Sequence, residues 1–192
     1  MADVLSIDTL YEGWSSFSLV RLRLEDGSVV ERALEDHGQA VAVLPYDPER
    51  RLALLVRQLR VPILLLGEEG YPEQPAGMLE HGEDPADCAR REVEEETGVR
   101  LRELEPLGRY WSSPGCSTER VHLFLAPYAA SDRIGAGGGV DEHEDIKVVE
   151  APLAELAARL DAGELRDIKL LALVLALKAR RPELFGEDLG RR

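Results

Sequence analysis

Three glutamates recur at helical spacing near the middle of the chain. Glu95 lies three residues and Glu96 four residues after Glu92. On a helix these three side chains therefore fall within one arc of about 100°. Clustered carboxylates repel one another, by roughly 1 kcal/mol for each close pair in water. Arg91, four residues before Glu95, can offset part of this repulsion. The helix alone leaves two interpretations open, a solvated acidic face or a site for a hard cation such as Mg²⁺, which prefers carboxylate oxygens.

The residues that flank these glutamates predict the bounds of their helix. Asp84 and Pro85 are typical of a helix start, with aspartate as N-cap and proline at the first helical position. Gly98 suits a left-handed C-terminal cap. The helix is therefore expected to end at Thr97, with the acidic face beside an apolar stripe that includes Ala89 and Val93.

A longer pattern surrounds the helix. It reads Gly77-x5-Glu83-x7-Arg91-Glu92-Val93-x-Glu95-Glu96-x-Gly98-Val99. This pattern resembles the Nudix box at every defined position, and the resemblance favours the cation site over the solvated face. It implies an α/β fold, the Nudix α/β/α sandwich with a mixed sheet. It also implies hydrolysis, dependent on Mg²⁺ or Mn²⁺, of a nucleoside diphosphate linked to another moiety.

The resemblance also implies roles for individual residues. By position, Glu92 and Glu96 match the main metal ligands of the family, and the carbonyl of Ala76 matches a backbone ligand. Arg91 and Glu83 match residues that brace the loop and the helix.

Beyond the box, the chain resembles the nucleoside-diphosphate-sugar branch of the family. Pro114 lies 15 residues past Val99, and Glu119 stands at a ligand-contacting position in the segment 112–120. The glycine run 137–139 precedes a segment that resembles the family's catalytic loop, which nominates Glu142 as general base and Glu144 as an additional metal ligand. Glu95, on the helix itself, is a second candidate for the base.

Two arginines follow a predicted strand over residues 52–56. Arg57 and Arg60 could clamp phosphates with bidentate hydrogen bonds. The alternative is a pair of solvent-facing arginines at the end of a strand.

The remaining pattern predicts the elements that hold these residues. Alternation over 17–24 and 29–34 around Asp26-Gly27 predicts a β-hairpin. Further strands are expected over 40–44, 121–126 and 146–149, and helices over 153–160 and 168–179. Strands and helices interleave, which is typical of a layered α/β domain.

A boundary near residue 40 divides the chain into an N-terminal β section, 1–40, and a Nudix hydrolase domain, 41–192. The resemblance implies a homodimer in which the N-terminal section is exchanged and contributes to base binding. The alternative is that this section only covers an edge of the sheet.

Composition excludes several classes of protein. The 192 residues carry 37 Asp and Glu against 23 Lys and Arg, a net charge of −14, which argues against sequence-independent nucleic-acid binding. Only two cysteines are present, which fits a reducing compartment. The sequence begins with no basic, apolar leader, and its longest apolar run is too short for a membrane span. We therefore expect a cytoplasmic protein without a membrane or nucleic-acid partner.

The sequence leaves the substrate open. The loops resemble those of GDP-mannose enzymes, which implies a nucleoside diphosphate sugar of that type, cleaved to a nucleoside monophosphate and a sugar 1-phosphate. The alternative substrate is ADP-ribose, cleaved to AMP and ribose 5-phosphate. Alternatives of other classes are a catalytically silent nucleotide-binding regulator, an enzyme acting on nucleoside triphosphates, and an acidic structural protein that binds Mg²⁺.

Overall fold

The computed structural model describes residues 1–139 and 145–186. The chain forms two compact units. The smaller unit comprises Met1–Ala40 and Arg109–Val121, and the larger comprises Val41–Gly108 and His122–Arg192. Glu142 and Glu144 lie outside the described residues.

The smaller unit contains a three-stranded antiparallel sheet in the order β1-β2-β3. Its strands are β1 (Asp3–Glu12), β2 (Ser16–Arg23) and β3 (Val29–Asp36). The predicted hairpin is confirmed: β2 and β3 pair without interruption from Ser16↔Asp36 to Arg23↔Val29. Gly27 takes a positive φ of 83° in the connecting turn, a conformation that glycine adopts at little cost.

The larger unit is built on a six-stranded mixed sheet in the order β7-β8-β4-β5-β9, with β6 paired to β4. The strands are β4 (Gln39–Asp47), β5 (Leu52–Arg57), β6 (Ala76–Met78), β7 (Glu105–Trp111), β8 (Arg120–Pro127) and β9 (Lys147–Pro152). Every residue of β4 from Ala40 to Asp47 is buried, so both faces of this strand are covered, as in a sheet packed between two layers.

Four α-helices complete the described part of the larger unit. They are α1 (Val61–Leu65), α2 (Pro85–Thr97), α3 (Leu153–Asp161) and α4 (Ile168–Arg180). The α/β fold class predicted from the sequence is therefore confirmed. No helix among the described residues has both the length and the apolar character required to cross a membrane.

The core fixes α2 against the sheet. Ala89 and Val93 of the helix, both fully buried, share one apolar cluster with Val43 and Leu54 of the central strands and Phe124 of β8. Burial of a side chain the size of valine or leucine stabilises the fold by about 1.5–3 kcal/mol. The helix face next to this stripe carries the glutamates, so packing of the stripe determines where the carboxylates lie.

Candidate active site

Helix α2 has the caps that its sequence predicted. The Asp84 carboxylate accepts a hydrogen bond of 2.8 Å from the Ala86 N–H, and Pro85 occupies the first helical position. Gly98 takes a φ of 71°, and its N–H donates to the Glu94 carbonyl at 2.9 Å. Both ends of the helix are thus fixed by residues in its own sequence.

Strand β6 lies beside α2, and Gly77 of the strand leaves space for the carboxylate of Glu92 on the helix. A Cβ built on Gly77 would come within 1.9–2.3 Å of the carboxyl atoms of Glu92. Any side chain at position 77 would therefore displace Glu92. Burial raises the pKa of Glu92, and the neighbouring Arg91 partly opposes that rise.

Glu96 is the most buried of the three glutamates, with 5% of the residue exposed. Its Oε2 accepts a hydrogen bond of 3.2 Å from the Ala76 N–H at the start of β6. Burial raises the pKa of Glu96 to about 8, despite this hydrogen bond. A carboxyl group in such surroundings becomes a stable anion only when a cation compensates its charge.

Arg91 connects the loop before α2 to the carboxylates of the helix. Its Nη1 lies 2.8 Å from Glu92 Oε1 and 3.2 Å from Glu95 Oε2. Its Nε and Nη2 donate to the two carboxylate oxygens of Glu83 at 3.0 and 3.1 Å. These bonds lower the pKa of Glu83 to about 2, and the same contact raises the pKa of Arg91. One guanidinium therefore balances charge from three carboxylates.

The buried thiol of Cys88 lies next to the Arg91 guanidinium. Cys88 Sγ donates to the Met78 carbonyl at 3.4 Å, and burial raises the pKa of the thiol to about 12. Burial therefore favours the protonated thiol over the thiolate, the form that acts as a nucleophile.

The chemical type of the oxygen atoms at this site matches the ligands that a hard divalent cation prefers. Glu92, Glu95 and Glu96 carry carboxylates, and Ala76, whose N–H donates to Glu96, also carries a backbone carbonyl; Mg²⁺ takes oxygen ligands of both types. Within residues 1–139 and 145–186, no three acidic, histidine or cysteine side chains are already gathered into a metal cage. Arg91 contacts two of the carboxylates instead. A cation bound here would share or replace those contacts.

The two predicted phosphate ligands lie in different surroundings. Arg60 Nε donates to Glu73 Oε1 at 2.8 Å, and Glu73 is anchored by backbone hydrogen bonds of 2.8 Å to Val56 in both directions. Arg57 is exposed at the end of β5 and pairs in register with Lys147. The charges of Arg60 and Glu73 both influence the pKa of Glu96, so this ion pair lies near the carboxylate helix.

Sequence reasoning missed Glu73. The partner of a long arginine side chain depends on which strands become neighbours, and Glu73 stands 13 residues after Arg60. The available signal was a carboxylate close to Gly77 in a segment otherwise rich in proline and glycine.

The other two predicted substrate residues belong to the smaller unit. Pro114 is exposed in a turn where the Cys116 N–H donates to the Ser113 carbonyl at 3.1 Å. Glu119 Oε1 lies 3.1 Å from His37 Nε2, and the His37 ring stacks on Trp14 with 5.1 Å between centroids. Sequence reasoning missed the contact of His37 with Glu119, because only the folded chain brings the end of β3 to this segment.

Comparisons with known proteins agree with this geometry. The profile of the NUDIX domain family matches residues 36–174. A GDP-mannose pyrophosphatase of Citrobacter koseri is 39% identical over 157 residues, which cover 80% of this chain and 81% of that protein. A GDP-mannose pyrophosphatase of Escherichia coli O1:K1 is 38% identical over the same shares.

A solved structure extends the likeness of the fold over nearly the whole length. The crystal structure of an ADP compounds hydrolase superposes with a TM-score of 0.77, covers 95% of each chain and is 18% identical in sequence. The family match spans well over half of the chain and includes the carboxylate helix, its caps and Gly77. The chain therefore belongs to the NUDIX domain family.

Proposed function

We propose that the protein is a Mg²⁺-dependent pyrophosphohydrolase that cleaves the diphosphate of a nucleoside diphosphate sugar of the GDP-mannose type. The products are a nucleoside monophosphate and a sugar 1-phosphate. The observation that carries this proposal is the capped helix α2, which holds Glu92 against Gly77 and Glu96 against Ala76 of strand β6. The GDP-mannose pyrophosphatases that are 38–39% identical to this chain over 157 residues support the substrate class.

Glu92, Glu96 and the Ala76 carbonyl are the proposed metal ligands, with Glu144 as a further one; Mn²⁺ is the alternative metal. A bound divalent cation would neutralise phosphate charge and lower the pKa of the attacking water. The protein contributes by holding the carboxylates before substrate arrives, since Gly77 leaves space for Glu92 and Arg91 restrains Glu92 and Glu95.

The net charge of −14 means that an anionic substrate needs local cations. Arg60 is our first candidate for a phosphate ligand, because its side chain is 42% exposed although Glu73 fixes its Nε. Arg57 is the second candidate. In the smaller unit, Glu119 and Pro114 are proposed to contact the sugar or the nucleoside.

We assign the general base to Glu142. Its competitor Glu95 shares its carboxylate with Arg91 at 3.2 Å, so it would have to release that contact to take up a proton. Activity that survives loss of Glu142 would move the assignment to Glu95.

Residues 1–40 are proposed to act as a dimerisation and substrate element, and 41–192 as the hydrolase domain. The support lies in β1, where four large apolar side chains remain 41–61% exposed: Val4, Leu5, Ile7 and Leu10. Surface of this kind is usually covered by a partner. We further propose a cytoplasmic location, because Cys88 and Cys116 are both free thiols.

A substrate panel with Mg²⁺ tests the proposal. GDP-mannose, ADP-ribose, UDP-glucose, a dinucleoside polyphosphate and dGTP would be incubated with the protein, and the products separated by chromatography. The expected result is GMP and mannose 1-phosphate, at a kcat/KM well above that of the other compounds. Dominant release of AMP and ribose 5-phosphate would transfer the assignment to ADP-ribose. No product from any compound, with a folded protein, would favour a silent nucleotide-binding domain.

A further inference from the structure

Glu73 is a buried carboxylate on a stretch of main chain that hydrogen bonds hold on both sides. Its N–H donates to the Val56 carbonyl and its carbonyl accepts from the Val56 N–H, both at 2.8 Å. Two residues later, the Pro75 carbonyl accepts from the Val43 N–H at 3.0 Å. Only 5% of Glu73 is exposed. The main chain that carries this carboxylate is therefore fixed to both central strands of the sheet.

The same stretch of chain leads into the carboxylate site. Ala76, three residues after Glu73, donates its N–H to Glu96 Oε2 at 3.2 Å. Because an extended chain spans at most about 3.6 Å per residue, the Cα atoms of Glu73 and Ala76 lie within about 11 Å of each other. Burial dominates the raised pKa of Glu96, and the charges of Arg60 and Glu73 act on that pKa as well. The Arg60–Glu73 pair is therefore held beside the proposed metal site.

Glu73 occupies one of the two edges through which the guanidinium of Arg60 can bind an oxyanion. One edge is the pair Nη1 and Nη2, and the other combines Nε with one of these two atoms. Glu73 Oε1 accepts from Arg60 Nε at 2.8 Å, so it takes the edge that includes Nε. In the described part of the chain, neither Nη atom of Arg60 donates a hydrogen bond, and 42% of the side chain is exposed. The Nη1–Nη2 edge is therefore the one left for a phosphate.

We propose that Glu73 is a positioning residue for Arg60. Its carboxylate holds Nε, so that the guanidinium presents its Nη1–Nη2 edge to the diphosphate of the substrate. This inference rests on the proposed hydrolase function and deepens it, since it names the edge of Arg60 that binds phosphate and the residue that selects this edge. Glu73 itself is an anion and has no contact with the substrate in this scheme.

The two effects of Glu73 on phosphate binding have opposite signs. As a negative charge, it weakens the attraction between Arg60 and a phosphate. As a fixed acceptor, it restrains a long side chain before the substrate arrives, and this reduces the conformational entropy that is lost on binding. The proposal requires the second effect to be the larger. Replacement of Glu73 by an uncharged residue that accepts no hydrogen bond should therefore weaken substrate binding, whereas a purely electrostatic role predicts the opposite.

NMR of the arginine Nε–H groups tests the geometry without reference to activity. Arg102 is an internal control, because its Nε donates to the buried Asp132 carboxylate at 2.7 Å in the same unit. In the wild type, we expect the Nε–H groups of Arg60 and Arg102 to exchange slowly with solvent. In Glu73→Leu, exchange at Arg60 should become at least tenfold faster, and exchange at Arg102 should not change. Equal exchange at Arg60 in the two proteins would overturn the proposal.

Addition of Mg²⁺ and inorganic pyrophosphate to the wild type tests which edge binds. The Nη resonances of Arg60 should shift, while its Nε–H stays protected against exchange. The Arg102 resonances should not shift. Loss of protection at the Arg60 Nε–H on binding would show that the guanidinium leaves Glu73, and this would refute the selection of an edge. Nη resonances of Arg60 that stay unchanged at saturating pyrophosphate would contradict the proposal as well.

A double-mutant cycle, measured with the panel compound that is hydrolysed best, tests the consequence for hydrolysis. We expect Glu73→Leu to lower kcat/KM roughly 10-fold, chiefly by a rise in KM, which is the loss typical of a hydrogen bond to a charged group. In an Arg60→Ala background the same substitution should cost less than twofold. Glu73→Gln, whose amide oxygen can still accept from Nε, should stay within threefold of the wild type.

A KM for Glu73→Leu at or below that of the wild type would refute the positioning role, because removal of the charge would then outweigh removal of the acceptor. Equal losses in both backgrounds would mean that Glu73 serves the fold alone, which is also incompatible with positioning. If the wild type hydrolyses no compound of the panel, the proposed function fails, and the NMR experiments then decide whether Glu73 holds Arg60 as described.

Discussion

Replacement of Glu96 by glutamine should make the metal-free protein more stable at alkaline pH. Glu96 is 5% exposed, and the pKa of its carboxyl is raised to about 8 by burial, from an ordinary value of 4.5. Between these two pH values the folded state holds a proton that the unfolded chain has released. The free energy of unfolding of the wild type therefore falls as pH rises through this window and levels off above pH 8.

The size of the effect follows from the pKa difference. Each pKa unit is equivalent to about 1.4 kcal/mol, so the full window amounts to roughly 5 kcal/mol, of which roughly 3 kcal/mol falls between pH 5.5 and pH 8.5. Local relaxation and water penetration reduce such values. Since glutamine does not titrate, we expect the stability of Glu96→Gln relative to wild type to rise by about 1–3 kcal/mol from pH 5.5 to pH 8.5.

Urea denaturation in the presence of EDTA, at both pH values, measures this difference. Glu94→Gln is the matched control: Glu94 lies on the same helix, and a hydrogen bond from Arg100 lowers the pKa of its carboxyl. It is therefore ionised in both folded and unfolded states across the window, and its variant should differ from wild type by the same amount at both pH values. A stability difference for Glu96→Gln that is also the same at both would refute the reasoning.

The same variant links stability to function. Glu96→Gln should lose turnover by a factor of about 100 or more, because it removes a proposed metal ligand, whereas Glu94→Gln should stay within a few-fold of wild type. The expected combination is a protein that is more stable without metal and inactive with it. Near-wild-type hydrolysis by Glu96→Gln would contradict its assignment as a ligand.

Three further results are expected. Glu142→Gln should lower kcat by about 100-fold with little change in KM if this residue is the base; steady-state kinetics that find kcat within a few-fold would favour Glu95. Arg91→Ala should lower the free energy of unfolding in urea by roughly 1–3 kcal/mol, since partly buried carboxylates lose their counter-charge, and an unchanged midpoint would contradict the bracing role. Ile7→Lys should convert a dimer to a monomer in sedimentation velocity, while Asp8→Lys on the same strand should not; a monomeric wild type would refute the proposed dimer.

Local signals predicted part of this structure well. The bounds of α2 could be inferred because Asp84, Pro85 and Gly98 specify a helix start and end through their own side chains and backbone preferences. The buried strands β4 and β5 were found from continuous apolar runs. In each case the determinant lies within the element or next to it.

Several elements could not be inferred from the sequence, and for three of them, β1, α1 and β7, the physical reason is clear. Strand β1 has no buried residue, and register shifts between Val4 and Ser6 and between Thr9 and Tyr11 disturb its alternation. Helix α1 also buries none of its residues, so its sequence has no amphipathic signal. Strand β7 contains both proline and glycine, which usually argue against a strand.

In the candidate site, too, local contacts could be predicted from the sequence, whereas contacts between distant segments could not. Helical spacing placed the glutamates on one arc, and it also predicted the contact of Arg91 with Glu95, which the structure confirms. The pairs Arg60–Glu73 and His37–Glu119 depend on tertiary neighbours. The buried state of Glu96, from which its raised pKa follows, also depends on how strand β6 lies against the helix.

Arg91 has a consequence for the metal-free state. The guanidinium of Arg91 already neutralises charge on Glu92 and Glu95. Folding therefore does not require a bound metal ion, unlike in domains whose ligands assemble only around their metal. At the proposed metal site, an incoming ion would have to compete with this guanidinium, which would reduce the affinity for the ion. We therefore expect a chelator to abolish activity reversibly without unfolding the protein, and the ion to be an exchangeable component that the substrate can deliver with its phosphates.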